Sequence, residues 1–374
     1  MNQLATQPFH RVVVSEFAET PLEAIEQKMA LVTMDPPDPS KLSTQDVVIA
    51  IKSASVGWVD LLMTSGQYQH MPKPPYCPGL EYAGVVLSVG SDAAKHVSVG
   101  DEVLVDGLLA GPRSLGDYQS YGGYASFGVA PAEAVRRIPG GLSFDQACNL
   151  LGSYETAYHC LVTRGRVQPG ETVLIHGASG STGLAAVHVA KILGATVIAT
   201  GRSDAKLAVV RAEGADHVIN CRAPEGAAEV RSFRAEVKAL TDGRGVDVVY
   251  DCVGGEISLE SLRAVRFGAR FLVVGWAATP FVAQGKGQRG APNANTLPTN
   301  LIMMKGLDVL GCPTVISTVH DMTLRPPRLE KITEWVESGK IRPYVSHVFP
   351  LTEYKEAMRA KWNGEVIGGC ALHP

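Results

Sequence analysis

The sequence lacks the features that mark membrane, secreted or nucleic-acid-binding proteins. Its 374 residues hold no apolar run as long as a membrane span, and residues 1–7 have neither the basic start nor the apolar core of a signal peptide. A formal net charge of −3 offers no basic surface to nucleic acid. The seven cysteines are scattered without a C-x-x-C pair, which is typical of reduced thiols. We expect a cytoplasmic enzyme whose partners are neither nucleic acid nor a membrane.

Two patterns of secondary structure follow each other along the chain. In the first third, short β-rich runs at 46–51, 82–89 and 101–105 are separated by Gly, Pro and Asp, as in an all-β module. From about residue 143, helical segments alternate with strands predicted at 173–175, 197–199, 217–219, 246–250 and 271–274. Such alternation is typical of a parallel sheet. The length of the chain favours two domains.

A glycine turn between a buried strand and an apolar helix is the most informative motif. It reads Gly177-Ala-Ser-Gly-Ser-Thr-Gly183, an A-x-G-x-x-G variant of the dinucleotide-binding pattern with Ala178 in the first position. Gly180 lets the backbone approach a pyrophosphate, Gly183 lets the helix pack on its strand, and the helix N-terminus offers N–H donors through Ser181 and Thr182. The alternative is an ordinary turn that happens to contain glycines.

The residues after the next predicted strand indicate which dinucleotide binds. An enzyme that prefers NAD usually has Asp or Glu there, whereas this chain reads Gly201-Arg-Ser-Asp-Ala-Lys206. Arg202 and Lys206 supply positive charge, Ser203 offers a hydroxyl to a phosphate oxygen, and Gly201 leaves space. The pattern therefore favours NADPH over NADH. In the alternative interpretation, Arg202 and Lys206 are solvated residues at the start of a helix.

These motifs resemble the medium-chain dehydrogenases/reductases, in particular the zinc-free branch of quinone oxidoreductases related to zeta-crystallin. The resemblance extends over nearly the whole chain. Besides the glycine turn, the matching segments are 60–68, 78–84 with 89–90, 99–103, 123–125, 138–144, 156–159, 251–255, Asn300 with Lys305, and 339–343.

The resemblance implies an α/β fold with two domains and a homodimer. A Rossmann-type doubly wound parallel sheet at 156–319 would bind NADPH, and a GroES-like β-rich catalytic domain would comprise 1–155, completed by 320–374. The resemblance also implies that Thr156, Val253 and Gly254 lie against the cofactor, and that Trp276 follows a strand end facing the nicotinamide.

Two substitutions argue against a catalytic zinc ion. Zinc-dependent relatives place Cys three residues before Asp60 and His immediately before Glu81, where this chain has Gly57 and Leu80. Neither residue ligates a metal, so we expect no metal and no oxidation of a zinc-bound alkoxide. Glu81 and the isolated His159 are interpreted as structural.

Without a metal, the hydride acceptor must spread the developing charge over its own conjugated carbonyl, as quinones and α,β-unsaturated carbonyls do. The resemblance assigns Tyr68 as proton donor, although a tyrosine that merely packs is the alternative. Asp60, Tyr154 and Trp276 are predicted on the substrate side, and the two aromatic residues are equally compatible with a core position.

Two departures from the family pattern and two other functions remain open. Gly57 stands where the family commonly has Asn, and Cys221 stands where relatives often have Tyr, with Arg222 beside it. A 2-enoyl thioester reductase would use Lys286 and Arg289 in a glycine-rich loop. An NADPH-binding protein with little turnover is the alternative of another class.

Overall fold

The computed structural model describes residues 8–114, 116–224, 230–277 and 295–374, and its contacts divide the chain into two units. Unit 1 comprises Met1–Leu151 and Arg342–Pro374, and unit 2 comprises Gly152–Ile341. The strands are β1 (His10–Val14), β2 (Met29–Thr33), β3 (Asp46–Ser55), β4 (Tyr82–Val89), β5 (Glu102–Val105), β6 (Phe127–Pro131), β7 (Val135–Arg137), β8 (Thr172–Ile175), β9 (Thr196–Gly201), β10 (His217–Asn220), β11 (Val246–Asp251), β12 (Val265–Val273), β13 (Asp308–Gly311), β14 (Val345–Pro350) and β15 (Gly369–His373).

Helices lie between most of these strands. They are α1 (Pro21–Glu23), α2 (Trp58–Thr64), α3 (Phe144–Ala147), α4 (Leu151–Tyr158), α5 (Ser181–Ile192), α6 (Asp204–Ala212), α7 (Arg234–Ala239), α8 (Glu256–Ala264), α9 (Thr299–Lys305), α10 (Thr314–His320), α11 (Arg325–Glu337) and α12 (Tyr354–Trp362). Two segments are π-helical, Ala24–Lys28 and His159–Arg164. None of the helices described is long and apolar enough to span a bilayer.

Unit 1 is built on β-strands, as the first third of the sequence predicts, and the pairs of its larger sheet are antiparallel except that of β14 with β15. Among its described residues, six strands follow the path β14-β15-β3-β4-β5-β7, and β6 also pairs with β3. Because β3 has partners on both sides, almost its whole length is buried, and Val47 and Ile49 are fully enclosed. They join a core that includes Val86 of β4 and Tyr124.

Unit 2 contains the parallel sheet that the alternating strands and helices predict. Within the described residues, its strand order is β10-β9-β8-β11-β12-β13, and every pair is parallel. This is the Rossmann order, in which the chain leaves β8 toward β9 on one side and later continues from β11 on the other. Ligands of such sheets bind where the order reverses, at the carboxyl ends of the central strands. The candidate site therefore lies where β8, β9, β11 and β12 end.

The division into units differs from the predicted domain bounds. The family resemblance implies that 320–374 complete the GroES-like domain, whereas contacts place residues up to Ile341 in unit 2. The cause is α11, whose buried Arg325 lies 2.6 Å from Glu155 Oε1, while Arg328 lies 3.4 Å from Glu155 Oε2. A buried ion pair of this kind costs about 3–5 kcal/mol to break, so it holds α11 to α4.

Candidate active site

The glycine turn lies between β8 and α5, at the reversal point of the sheet. Gly180 is the N-cap residue of α5. Because it has no side chain, it offers no side-chain acceptor to the first N–H groups of the helix. A Cβ at Gly183 would lie 2.3 Å from the Gly177 carbonyl oxygen, which requires glycine for the helix to pack. A Cβ at Gly180 would approach nothing nearer than the same oxygen at 3.4 Å. Space beside Gly180 and the positive end of the helix dipole fit a pyrophosphate.

Basic side chains gather where β9 ends. Arg202 is exposed, and Ser203 begins α6 without using its hydroxyl as a cap. The Nε of Arg222 donates to the Arg202 carbonyl oxygen at 2.8 Å. A second guanidinium therefore lies beside the main chain at the end of β9. The carbonyl oxygen of Gly201 accepts from both the N–H and the Sγ of Cys221, at 2.9 and 3.2 Å. The cluster fits a ribose 2′-phosphate.

The turn after β11 brings three predicted cofactor residues together. Buried Asp251 accepts from the N–H groups of Val253 and Gly254 at 2.9 and 3.0 Å. Gly254 has φ +77°, and a Cβ there would lie 2.9 Å from Trp276. Trp276 itself is 46% exposed. Thr156, on α4, instead donates its hydroxyl to the Gly152 carbonyl oxygen of its own helix at 2.7 Å.

Tyr154 lies in the interior of unit 2. It is 2% exposed, and its hydroxyl is 2.7 Å from His188 Nδ1 on α5. The other nitrogen of His188 is 3.0 Å from Glu213 Oε2. Burial raises the pKa of Tyr154 far above its usual range. This is the core alternative that the sequence left open, with the hydroxyl already hydrogen-bonded.

In unit 1, Asp60 connects the two positions that hold zinc ligands in zinc-dependent relatives. Its carboxylate is buried and accepts from the N–H groups of Gly57, Gly79 and Leu80 at 2.9, 3.1 and 3.0 Å. Desolvation raises its pKa to about 6 despite these donors. Asp60 therefore positions the loop at 79–80 against the start of α2, and all three backbone donors are satisfied by one side chain.

Tyr68 lies in the loop that follows α2. It is half-buried, and its ring is edge-on to that of His70, with centroids 6.2 Å apart. No three His, Cys, Asp or Glu side chains of the described segments cluster in a way that could hold a metal ion.

The raised pKa of Asp60 predicts a pH-dependent contribution to stability. Because the folded-state pKa, about 6, exceeds the usual value of 3.8, the contribution is complete below pH 3.8 and is lost as pH rises through 6. The Asp60→Asn variant cannot titrate, so wild-type stability relative to this variant should fall by about 2 kcal/mol between pH 4 and 7. Urea unfolding at several pH values measures this difference. A difference that stays constant over the range would contradict the raised pKa.

Comparison with known proteins shows the family to which the chain belongs. Residues 43–140 match the model of the alcohol dehydrogenase GroES-like domain, and residues 181–323 match that of the zinc-binding dehydrogenases. A quinone oxidoreductase-like protein 2 homolog of Nematostella vectensis is 32% identical over 343 residues, which cover 90% of this chain and 85% of that protein. The chain belongs to the zinc-free quinone oxidoreductase branch of the medium-chain dehydrogenases/reductases.

Two further relatives support the membership. The quinone oxidoreductase-like protein 2 of Mus musculus is 31% identical over 88% of this chain and 86% of its own length. A quinone oxidoreductase structure from Pseudomonas syringae superposes with a TM-score of 0.75, at 26% identity, over 98% of this chain and all of its own. Gly57 and Leu80, at the positions of two zinc ligands in zinc-dependent relatives, lie outside residues 181–323, and neither side chain can ligate a metal.

His176 was not among the predicted site residues; it directly follows β8, immediately before the glycine turn. Its side chain is fully buried and hydrogen-bonded on both nitrogens. A histidine directly after an apolar strand was the available signal. Arg231 was also missed, since it reaches the end of β10 by bonding to the Asn220 carbonyl oxygen, and Glu236 pairs with its guanidinium.

Proposed function

We propose that this quinone oxidoreductase-branch chain uses NADPH to reduce quinones or activated α,β-unsaturated carbonyls without zinc. The observation that supports it most is the end of β9, where Arg202 and Arg222 are brought together and Gly201–Ser203 contains no carboxylate. A carboxylate at this point would repel a 2′-phosphate and accept the hydroxyls of NADH instead. The glycine turn between β8 and α5 offers a matching site for the pyrophosphate.

NADPH bound at this edge would supply the hydride. The N-terminus of α5 holds the pyrophosphate, and Arg202, Ser203 and Lys206 hold the 2′-phosphate. The Val253–Gly254 turn and Trp276 lie at the end of the sheet where the nicotinamide is expected.

The acceptor must delocalise charge by itself because Gly57 and Leu80 cannot hold a Lewis acid. In quinones the second carbonyl takes up that charge. In an enone the enolate needs a proton at the α-carbon, which Tyr68 Oη would provide. The names of the curated relatives, quinone oxidoreductase-like protein 2, favour the quinone as acceptor.

Oxidation of NADPH, followed by its absorbance, tests the proposal with four acceptors: 1,4-benzoquinone, 9,10-phenanthrenequinone, 2-hexenal and crotonyl-CoA. NADH is run in parallel, and a chelator is added to show that turnover needs no metal. Turnover with quinones or the enal supports the proposal. Preference for the thioester would instead indicate an enoyl thioester reductase, whose predicted residues Lys286 and Arg289 lie outside the described residues. Binding of NADPH without any turnover would indicate the non-catalytic alternative.

Removal of Arg202 should weaken the preference for NADPH. In the Arg202→Ala variant we expect the KM for NADPH to rise about tenfold, because a charge-assisted hydrogen bond to phosphate is lost, while the KM for NADH stays the same. Arg211→Ala is the matched control, since Arg211 is an exposed arginine in the last turn of α6. Equal changes for both cofactors would contradict the assignment.

The edge of the parallel sheet supports the proposal of a homodimer. Among the described strands, β13 pairs only with β12, and Val309 on it is 38% exposed. Large apolar side chains are exposed nearby, at Phe267, Met303 and Met304. An open, apolar strand edge is stable in water when a second copy of the same edge covers it. Sedimentation should therefore give twice the chain mass of 39.7 kDa, and a monomer would overturn this proposal.

A further inference from the structure

One buried histidine of unit 2 connects the end of β8 to β9 and α8, next to the glycine turn. His176 follows β8 directly, immediately before the glycine turn, and its side chain has no exposed surface. Its Nδ1 lies 2.8 Å from Oγ1 of Thr200 in β9. Its Nε2 lies 2.6 Å from Oγ of Ser261 in α8. Thr200 and Ser261 are themselves fully buried.

The hydrogen bonds assign the positions of the protons. The single hydroxyl hydrogen of Ser261 is used on the Ile257 carbonyl oxygen at 2.6 Å, so Ser261 Oγ must accept from His176 Nε2–H. Burial lowers the pKa of His176 to about 4, so the ring is neutral and Nδ1 carries no hydrogen. Nδ1 therefore accepts the hydroxyl hydrogen of Thr200. The ring accepts from β9 and donates to α8.

The acceptor side of the ring acts on the residues that face the 2′-phosphate. Thr200 immediately precedes Gly201, Arg202 and Ser203. Its carbonyl oxygen also accepts from the N–H of Ala178, in the glycine turn, at 3.3 Å. The glycine turn is thus bonded to the end of β9 twice, once through the main chain and once through His176.

We propose that His176 is a positioning residue which, through Thr200, sets the distance between the glycine turn and Gly201–Ser203. This distance determines how strongly the site prefers a ligand with a 2′-phosphate. The inference rests on the proposed function, because it requires a dinucleotide at this edge. It predicts that breaking the bond to Thr200 affects a ligand with a 2′-phosphate more than a ligand without one.

Binding of adenosine 2′,5′-bisphosphate and adenosine 5′-monophosphate to the full-length protein, measured by calorimetry, tests this. The two probes differ only in the 2′-phosphate. The dissociation constant of adenosine 5′-monophosphate divided by that of the 2′,5′-bisphosphate therefore measures the preference for the 2′-phosphate, and this quotient is called the ratio below. Thr200→Val keeps the shape of the side chain and removes its hydroxyl. We expect it to reduce the ratio about three- to tenfold, the usual effect of one lost hydrogen bond.

Two variants of His176 distinguish its hydrogen bond to Thr200 from its hydrogen bond to Ser261. In His176→Asn the amide oxygen takes the place of Nδ1 and accepts from Thr200, so we expect a ratio within about twofold of wild type. In His176→Gln the amide nitrogen takes the place of Nε2, the bond to Thr200 is lost, and the ratio should fall as in Thr200→Val. Rescue by Asn but not by Gln is a result that a general loss of stability would not give.

Thr241→Val is the matched control for destabilisation. Thr241 is buried in unit 2, and its hydroxyl oxygen accepts from the Gly245 N–H at 2.9 Å, so the variant loses a comparable bond away from the site. We expect its ratio to equal that of wild type. An unchanged ratio in Thr200→Val and His176→Gln, or an equal fall in Thr241→Val, would overturn the inference alone. A wild-type protein that does not prefer the 2′,5′-bisphosphate would overturn the proposed use of NADPH, and the inference with it.

Discussion

Tyr68→Phe should reduce 2-hexenal about 100-fold more slowly than the wild-type protein, because a positioned general acid contributes roughly 10²–10⁴-fold. The enolate formed from an enone requires a proton at carbon. The phenolic hydroxyl of Tyr68 is the group in unit 1 that the family resemblance assigns to this step, and its half-buried position leaves part of the side chain accessible. Phenylalanine keeps the ring and removes the proton.

The same variant should reduce 1,4-benzoquinone at nearly the wild-type rate. A quinone distributes the charge over two oxygens and takes its protons from water, so it depends less on a protein acid. The ratio of the two rates therefore distinguishes a lost acid from a disturbed fold. Tyr344→Phe, at another half-buried tyrosine of unit 1, is the control for the loss of a phenol. Equal losses with both acceptors would remove Tyr68 from the mechanism as an acid.

Gly180→Ala should weaken NADPH binding about 100-fold and leave the protein folded. The added methyl group meets the Gly177 carbonyl oxygen at 3.4 Å, an ordinary contact, so the turn itself accommodates it. The methyl group would occupy the space through which the pyrophosphate reaches the N-terminus of α5. Loss of one or two charge-assisted hydrogen bonds, each about 1.5–3 kcal/mol, gives an effect of this size.

Two other glycines provide the comparison. Gly183→Ala places its Cβ 2.3 Å from the Gly177 carbonyl oxygen and 2.8 Å from Ala178 Cα, so it should lower the free energy of unfolding as well as binding. Gly116→Ala meets nothing within 4 Å and should change neither. Calorimetric titration with NADPH and thermal unfolding separate the three outcomes. Normal NADPH affinity in Gly180→Ala would mean that the pyrophosphate does not lie at this turn.

Most of the parallel sheet was predictable because its signals are local. The strands predicted at 173–175, 197–199 and 217–219 are confirmed and extend by no more than two residues at either end, since each buried apolar run ends in polar or glycine-containing turns. The strand predicted at 271–274 begins earlier, at Val265, where it pairs with Val246 through an irregular register. The early start of β12 depends on its pairing with β11, a separate segment of the chain, so the residues of β12 alone do not predict it.

The candidate site was predictable to the extent that its residues are neighbours in the chain. Ala178, Gly180 and Gly183 are three such neighbours, and their turn follows β8 as expected. Tyr154 was harder to place, because an aromatic residue suits a cleft or a core equally well until its partner is known. That partner, His188, is 34 residues away.

Three features can be read from consecutive residues: the order of strand, glycine turn and helix, the basic residues after the second strand, and Gly57 and Leu80 in place of zinc ligands. These follow from backbone geometry and side-chain chemistry over a few consecutive residues. The fold, in contrast, sets Arg222 beside Arg202, because β10 pairs with β9 in a register that places Asn220 opposite Gly201. The fold also brings His176 to residues 24 and 85 positions away, since strand register and helix packing select distant partners that no local pattern specifies.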